Sequence, residues 1–137
     1  MKAKQKLAIH ELLSRAAYYF DVRDTDGLEA CFCEDARMLV DITAGETFGP
    51  FEGRDSIMEL MRGTLEQQKD NRRHIICDIF FESESKNEAT VVSTLVLSSV
   101  DNDAITLVTS GLYRDLVRKV GPDWLFADRH LNLDRMF

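Results

Sequence analysis

The sequence changes character at Asn71, and that change limits the folds open to it. Before Asn71, apolar residues recur mainly at helical spacing. After it, β-branched and aromatic residues fill four runs, about Arg72–Glu82, Ala89–Val100, Ile105–Val117 and Trp124–Leu133. The joins are turn chemistry: Glu84-Ser85-Lys86-Asn87, Asp101-Asn102-Asp103 and Gly121-Pro122-Asp123. Long strands with short joins form an antiparallel meander, and helices preceding strands imply an α+β domain with the helices on one face of the sheet. A chain of 137 residues is long enough to bury a core and short enough for one domain over 1–137.

The first half supplies the helices. Ile9, Leu12, Leu13, Ala16 and Phe20 make one apolar stripe on a helix from Ala3 to about Val22. Leu13, Ala17 and Asp21 form a row at the edge of that stripe. A carboxylate at a helix C-terminus is disfavoured by the helix dipole, so Asp21 is either a solvated turn residue or is kept for another interaction. Asp24 and Asp26 read as caps for a short second helix running through Phe32. Ala36–Thr43 reads as a strand. Gly45, Gly49, Pro50 and Gly53 make 44–53 a loop, on which Phe48 and Phe51 either cap a cavity or anchor the loop. A third helix begins at Asp55-Ser56, with Ser56-x-x-Glu59 as a capping box, and ends near Gln68.

Within Asn71–Phe81, strict alternation puts Arg73, Ile75, Cys77, Ile79 and Phe81 on one face and His74, Ile76, Asp78 and Phe80 on the other. A histidine beside apolar residues is either a hydrogen-bonded core group or a proton-transfer group. In Ala89–Val100 both faces are apolar, more so than a sheet with one wet face requires. One face covers the helices. The other is expected to pack on a second copy, giving a homodimer through the outer face of the sheet.

Composition removes several classes. A net charge of −7 is the wrong sign for a nucleic-acid footprint. No apolar run approaches membrane-spanning length, no secretory signal is read at the start, and the expected location is the cytoplasm. Cys31, Cys33 and Cys77 fit neither a zinc nor a C-x-x-C spacing and read as small, mostly buried thiols. No trio of His, Cys and carboxylate has metal spacing, and no Gly-rich nucleotide motif occurs, so neither a metal nor a cofactor is expected.

Several stretches then resemble the nuclear transport factor 2-like superfamily and, within it, the SnoaL-like domains. They are Ile9-x-Glu11-Leu12-Leu13 through Asp21-x-Arg23-Asp24-x-Asp26-x-Leu28, Phe32-x-x-Asp35-Ala36, Phe51-Glu52-Gly53-Arg54-Asp55-x-Ile57, Arg73-His74, and Trp124-x-Phe126-x-Asp128-Arg129. The resemblance implies a cone: a curved, mixed but mostly antiparallel sheet wrapped round the long first helix, with two further helices and an apolar pocket open at one end. It implies an apolar small-molecule ligand. It also implies pocket walls that include Tyr19, Phe20, Val40, Phe48, Phe51, Met58, Ile76 and Tyr113. In the branch resembling scytalone dehydratase and hexachlorocyclohexane dehydrochlorinase, an Asp–His dyad matches Asp21 and His74. The helper positions of those enzymes fall here on Phe20, Val40, Ala16 and the Ser98–Val100 region, so neither of those two reactions is expected. Tyr19, Asp78, Tyr113, Arg114 and His130 remain as sources of polar help. The expected activity is a cofactor-independent dehydration, isomerisation or cyclisation of an apolar or aromatic molecule. The alternative is a non-catalytic binding module or a structural subunit like the small subunits of ring-hydroxylating dioxygenases.

Overall fold

The computed structural model describes residues 1–137. The elements run α1 (Ala3–Asp21), α2 (Thr25–Glu29), β1 (Phe32–Ile42), β2 (Thr47–Glu52), α3 (Arg54–Gln67), β3 (Asn71–Glu84), β4 (Glu88–Asp101), β5 (Ala104–Val120) and β6 (Asp123–Leu133). The six strands form one sheet in the order β2-β1-β6-β5-β4-β3. The last four strands are the expected meander. β1 returns beside β6 as the sole parallel pair, and β2 lies antiparallel to β1 at the edge. The domain is therefore α+β with a mixed, mostly antiparallel sheet, and the helices pack against its inner face.

Curvature comes from irregular pairing. Every pair of neighbouring strands carries at least one register shift, and a bulge bends and twists the strand that contains it. The bulge in β3 lies between Cys77 and Phe80, where Asp78 adopts φ 50°, a left-handed conformation that Asp tolerates better than most residues. It reverses the alternation. His74 and Ile76 face inward before the bulge. Beyond it Ile79 and Phe81 pack on the core, and Phe80 turns to solvent. The uniform alternation expected for this strand is thus corrected, and Asp78 is the residue that absorbs the slip. A second slip in β6, at Ala127, places Trp124 and Phe126 inside together with Arg129, Leu131 and Leu133. His130 is left on the opposite face from Trp124.

Three local expectations change. The second helix ends at Glu29, because Phe126 N–H bonds to Cys31 C=O at 2.8 Å and draws the chain into the sheet. Phe32 therefore opens β1. The segment 44–53 contains strand β2; at a sheet edge the missing Pro50 N–H has no ladder partner to lose. Helix α3 starts at Arg54, one residue after Gly53 at φ 88°. Ser56 therefore lies inside the first turn and does not cap the helix. Asp24 does cap α2, its carboxylate accepting from Gly27 N–H at 2.9 Å.

Candidate active site

A cavity of about 210 Å³ lies between the helices and the inner face of the sheet, and 19 of its 24 lining residues are hydrophobic. An apolar cavity of about 150 Å³ already holds benzene, so a larger, two-ring molecule is in range here. Helix α1 contributes Leu13, Ala16, Ala17 and Phe20, which recur at helical spacing; the two alanines leave room for the cavity.

Asp21 follows that row at the last position of α1. Its side chain is largely buried, and its Oδ1 lies 2.6 Å from His74 Nδ1. The same carboxylate accepts the backbone N–H of His74 at 3.1 and 3.0 Å. The double attachment follows from topology. β3 is an edge strand, so N–H groups on its open side have no neighbouring strand. Asp21 takes one of them and the imidazole of the same residue. The Phe20 ring stands edge-on to the imidazole at 4.7 Å between centroids and 67° between planes, fixing the other side of the ring. With Nδ1 bound to the carboxylate, Nε2 makes no protein hydrogen bond, and His74 lines the cavity. The arrangement is that of an oriented imidazole with a free basic nitrogen.

At the cavity wall sits a buried ion pair that sequence reading missed. Arg129 donates to Asp115 through Nε at 2.9 Å and through Nη2 at 3.2 Å. Its guanidinium lies 3.9 Å from the Tyr113 ring centroid and 4.1 Å from that of Phe126. Burial pushes the Asp115 carboxyl above its ordinary value, and the facing guanidinium works against that rise. Burial likewise raises the Tyr113 phenol, partly offset by Arg129. Arg129 and Tyr113 line the cavity, and neither Arg129 Nη1 nor the Tyr113 hydroxyl has a hydrogen-bond partner. The readable signal was the register: Arg129 stands across from Asp115 on adjacent strands, but only after the slip at Ala127 is known.

The cavity wall also includes Thr64 of α3, Gln68 just beyond it, Arg72 of β3, and Met136 and Phe137 of the C-terminal tail. Arg23 binds the carbonyls of Leu65 at 2.7 Å and Gln68 at 3.0 Å, tying the end of α3 to the end of α1.

Of the residues expected on the pocket wall, Phe20, Val40, Phe48, Ile76 and Tyr113 line the cavity. Tyr19, Phe51 and Met58 do not. Tyr19 falls off the α1 stripe, and its hydroxyl accepts from Arg15 at 3.3 Å. Met58 is fully buried in the core, while Leu60, Met61 and Thr64 are the α3 residues that reach the cavity. Phe51 pairs with Met38 on the edge strand and packs on the core from there. Of the residues left as sources of polar help, only Tyr113 reaches the cavity. Asp78 is exposed at its bulge, Arg114 pairs with Glu82 at 2.9 Å, and His130 Nε2 meets Asp41 at 2.6 Å away from the cavity. No three His, Cys, Asp or Glu side chains converge as metal ligands would. No helix is long and apolar enough to cross a membrane.

A family model described as the SnoaL-like domain matches residues 1–130. Among solved structures, a Mycobacterium tuberculosis protein of unknown function is 26% identical with a TM-score of 0.81, over 96% of this chain and 73% of that one. A Novosphingobium aromaticivorans protein provisionally called a scytalone dehydratase is 24% identical with a TM-score of 0.76, over 94% of this chain and 83% of that one. The beta subunit of a provisionally named aromatic-ring-hydroxylating dioxygenase from the same organism is 14% identical with a TM-score of 0.82, over 99% of this chain and 94% of that one. At these identities the last two likenesses speak to fold. No curated protein matches the chain.

Proposed function

Because the chain belongs to the SnoaL-like domain family, we propose that it is a small-molecule enzyme: a cofactor-independent lyase, isomerase or cyclase in which His74 removes a proton from an apolar or aromatic substrate. The observation that carries the reading is the 2.6 Å contact between Asp21 and His74 Nδ1, with the imidazole on the wall of an apolar cavity. Asp21 accepts the Nδ1–H, which selects the tautomer with a basic Nε2 and stabilises the imidazolium that forms when Nε2 takes a proton. The surrounding hydrocarbon excludes water and strengthens that interaction. General base help of this kind supplies about 10²–10⁴-fold, so a second polar group must stabilise the charge that develops on the substrate.

A second reading is a binding module with the same cavity and no turnover. It is favoured by the hydrocarbon side chains Phe20, Val40 and Ala16 at the positions that match the polar helpers of the dehydratase and the dehydrochlorinase. The two readings separate in one experiment. Apolar ketones and phenols are screened by thermal shift, and each ligand that raises the melting temperature is assayed for turnover with wild type and His74→Ala. Catalysis predicts that His74→Ala binds as tightly and turns over at least about 10²-fold more slowly. Equal turnover in both proteins removes His74 as the base, and binding without turnover in wild type favours the module.

The protein is further proposed to act in the cytoplasm as a homodimer through the outer face of the sheet, where Ile75, Phe80 and Leu112 are exposed.

A further inference from the structure

We infer that Arg72 is the oxygen-recognition group of the cavity: it holds a neutral carbonyl oxygen of the bound molecule while the adjoining carbon faces His74. The inference rests on the proposed role of His74 and extends it to the group that receives the developing charge.

Arg72 and His74 are two residues apart on β3, and both line the cavity. Residues so spaced on one face of a strand have Cα atoms about 6.6 Å apart, so their side chains enter the cavity side by side. Neighbouring side chains on one face can meet the two ends of one small group, the carbonyl oxygen toward Arg72 and the α C–H toward Nε2. The Arg72 side chain is held in place. Its Nε donates to Asp70 at 3.0 Å, the Ser99 hydroxyl binds the same Asp70 oxygen, and Phe137 lies 5.9 Å from its guanidinium. Its Nη1, however, is buried and has no hydrogen-bond partner. Buried donors without partners are rare and destabilising, and a ligand oxygen relieves the deficit.

The local charge selects the kind of oxygen. Arg23 and Arg72 are balanced here by Asp21 and Asp70, which line a small adjoining pocket with them. Arg72 is already paired, so a neutral acceptor suits Nη1 better than a second carboxylate. The step is then balanced. The α C–H bond breaks, and its proton goes to His74 Nε2. The electron pair forms the C=C of an enolate, and the negative charge rests on the oxygen held by Arg72. Where the substrate has a β,γ double bond conjugated with the enolate, return of the proton from His74 to the γ-carbon gives isomerisation. Where the β-carbon carries a hydroxyl, its C–O bond breaks and the hydroxyl leaves as water with the proton returned by His74, giving dehydration.

The test uses naphthalene, 2-acetylnaphthalene and 2-naphthoate as probes, with binding measured by calorimetry. Wild type is expected to bind the ketone about tenfold tighter than naphthalene, and Arg72→Met to lose that increment while keeping naphthalene affinity. Deuterium exchange of the ketone methyl in D₂O, followed by NMR, is expected to fall at least about tenfold in Arg72→Met and also in His74→Ala. An increment that survives in Arg72→Met assigns the oxygen to another donor and overturns the inference. So does tighter binding of 2-naphthoate than of the ketone. If wild type binds no naphthalene, the apolar-pocket reading itself falls. Should Arg72→Met not fold, the unmutated protein and Arg72→Lys decide: the ¹³C=O stretch of bound ketone must lie below its value in hydrocarbon solvent and move in Arg72→Lys. An unshifted stretch overturns the inference.

Discussion

At the scale of single residues, Asp21 has two tasks that substitution can separate. It accepts the imidazole Nδ1–H and the backbone N–H of the same histidine. Asp21→Asn keeps an acceptor for the backbone but can present its amide N–H to Nδ1, which favours the tautomer with the proton on Nε2. Turnover is expected to drop about 10²–10⁴-fold with little loss of stability. Asp21→Ala removes both acceptors and is expected to destabilise by about 1–3 kcal/mol as well, read from urea midpoints. The pair was legible only through the family resemblance; the residue pattern alone left Asp21 as either a solvated turn residue or a partner, and His74 as either a core group or a proton-transfer group. The match holds in the structure because both elements are regular up to that point: a helix ending at Asp21 and a strand whose alternation holds through Ile76. Arg129 was not legible, because the slip at Ala127 turns it inward against the alternation counted from Trp124.

Among the elements, β3 shows what composition alone cannot convey. A run of β-branched and aromatic residues announces a strand, but its faces depend on whether the register slips. Asp78 at φ 50° is the hinge of that slip. Asp78→Val puts a β-branched side chain into a left-handed conformation, and a loss of about 1–2 kcal/mol is expected. Asp78→Gly is expected to be neutral or slightly stabilising. Denaturant titration checks both, and an unaffected Asp78→Val would mean that the bulge can move along the strand. β2 escaped notice for the converse reason: its glycine and proline are breakers in a central strand but are tolerated on an edge that pairs on one side only.

For the whole molecule, the sheet leaves Ile75, Phe80 and Leu112 exposed on its outer face. If that face joins two copies, wild type sediments as a dimer and Leu112→Arg as a folded monomer. A monomeric wild type would leave the outer face without a partner. Acid stability follows from paired carboxylates. Asp41, Asp70, Glu82 and Glu84 are held below the usual carboxylate range, first by Thr47, Ser99, Arg114 and Lys6 respectively. A depressed folded-state value stabilises the fold fully above the unfolded value, near pH 4. That contribution is lost as pH falls through the folded value. Asp115, raised by burial, acts in the opposite sense. Its effect falls between the unfolded value and the higher folded one, so below about pH 4 the four depressed carboxylates set the trend: the urea midpoint is expected to decline there, and a flat profile would contradict the pairing.

The double attachment of Asp21 also bears on descent. A lineage that abandons catalysis frees the imidazole for replacement, but the edge strand still needs an acceptor for its N–H. The aspartate should therefore outlast the histidine. Aligned relatives are expected to include more chains that keep the acid without the imidazole than chains with the reverse, and an aspartate at this position marks the architecture before it marks an enzyme.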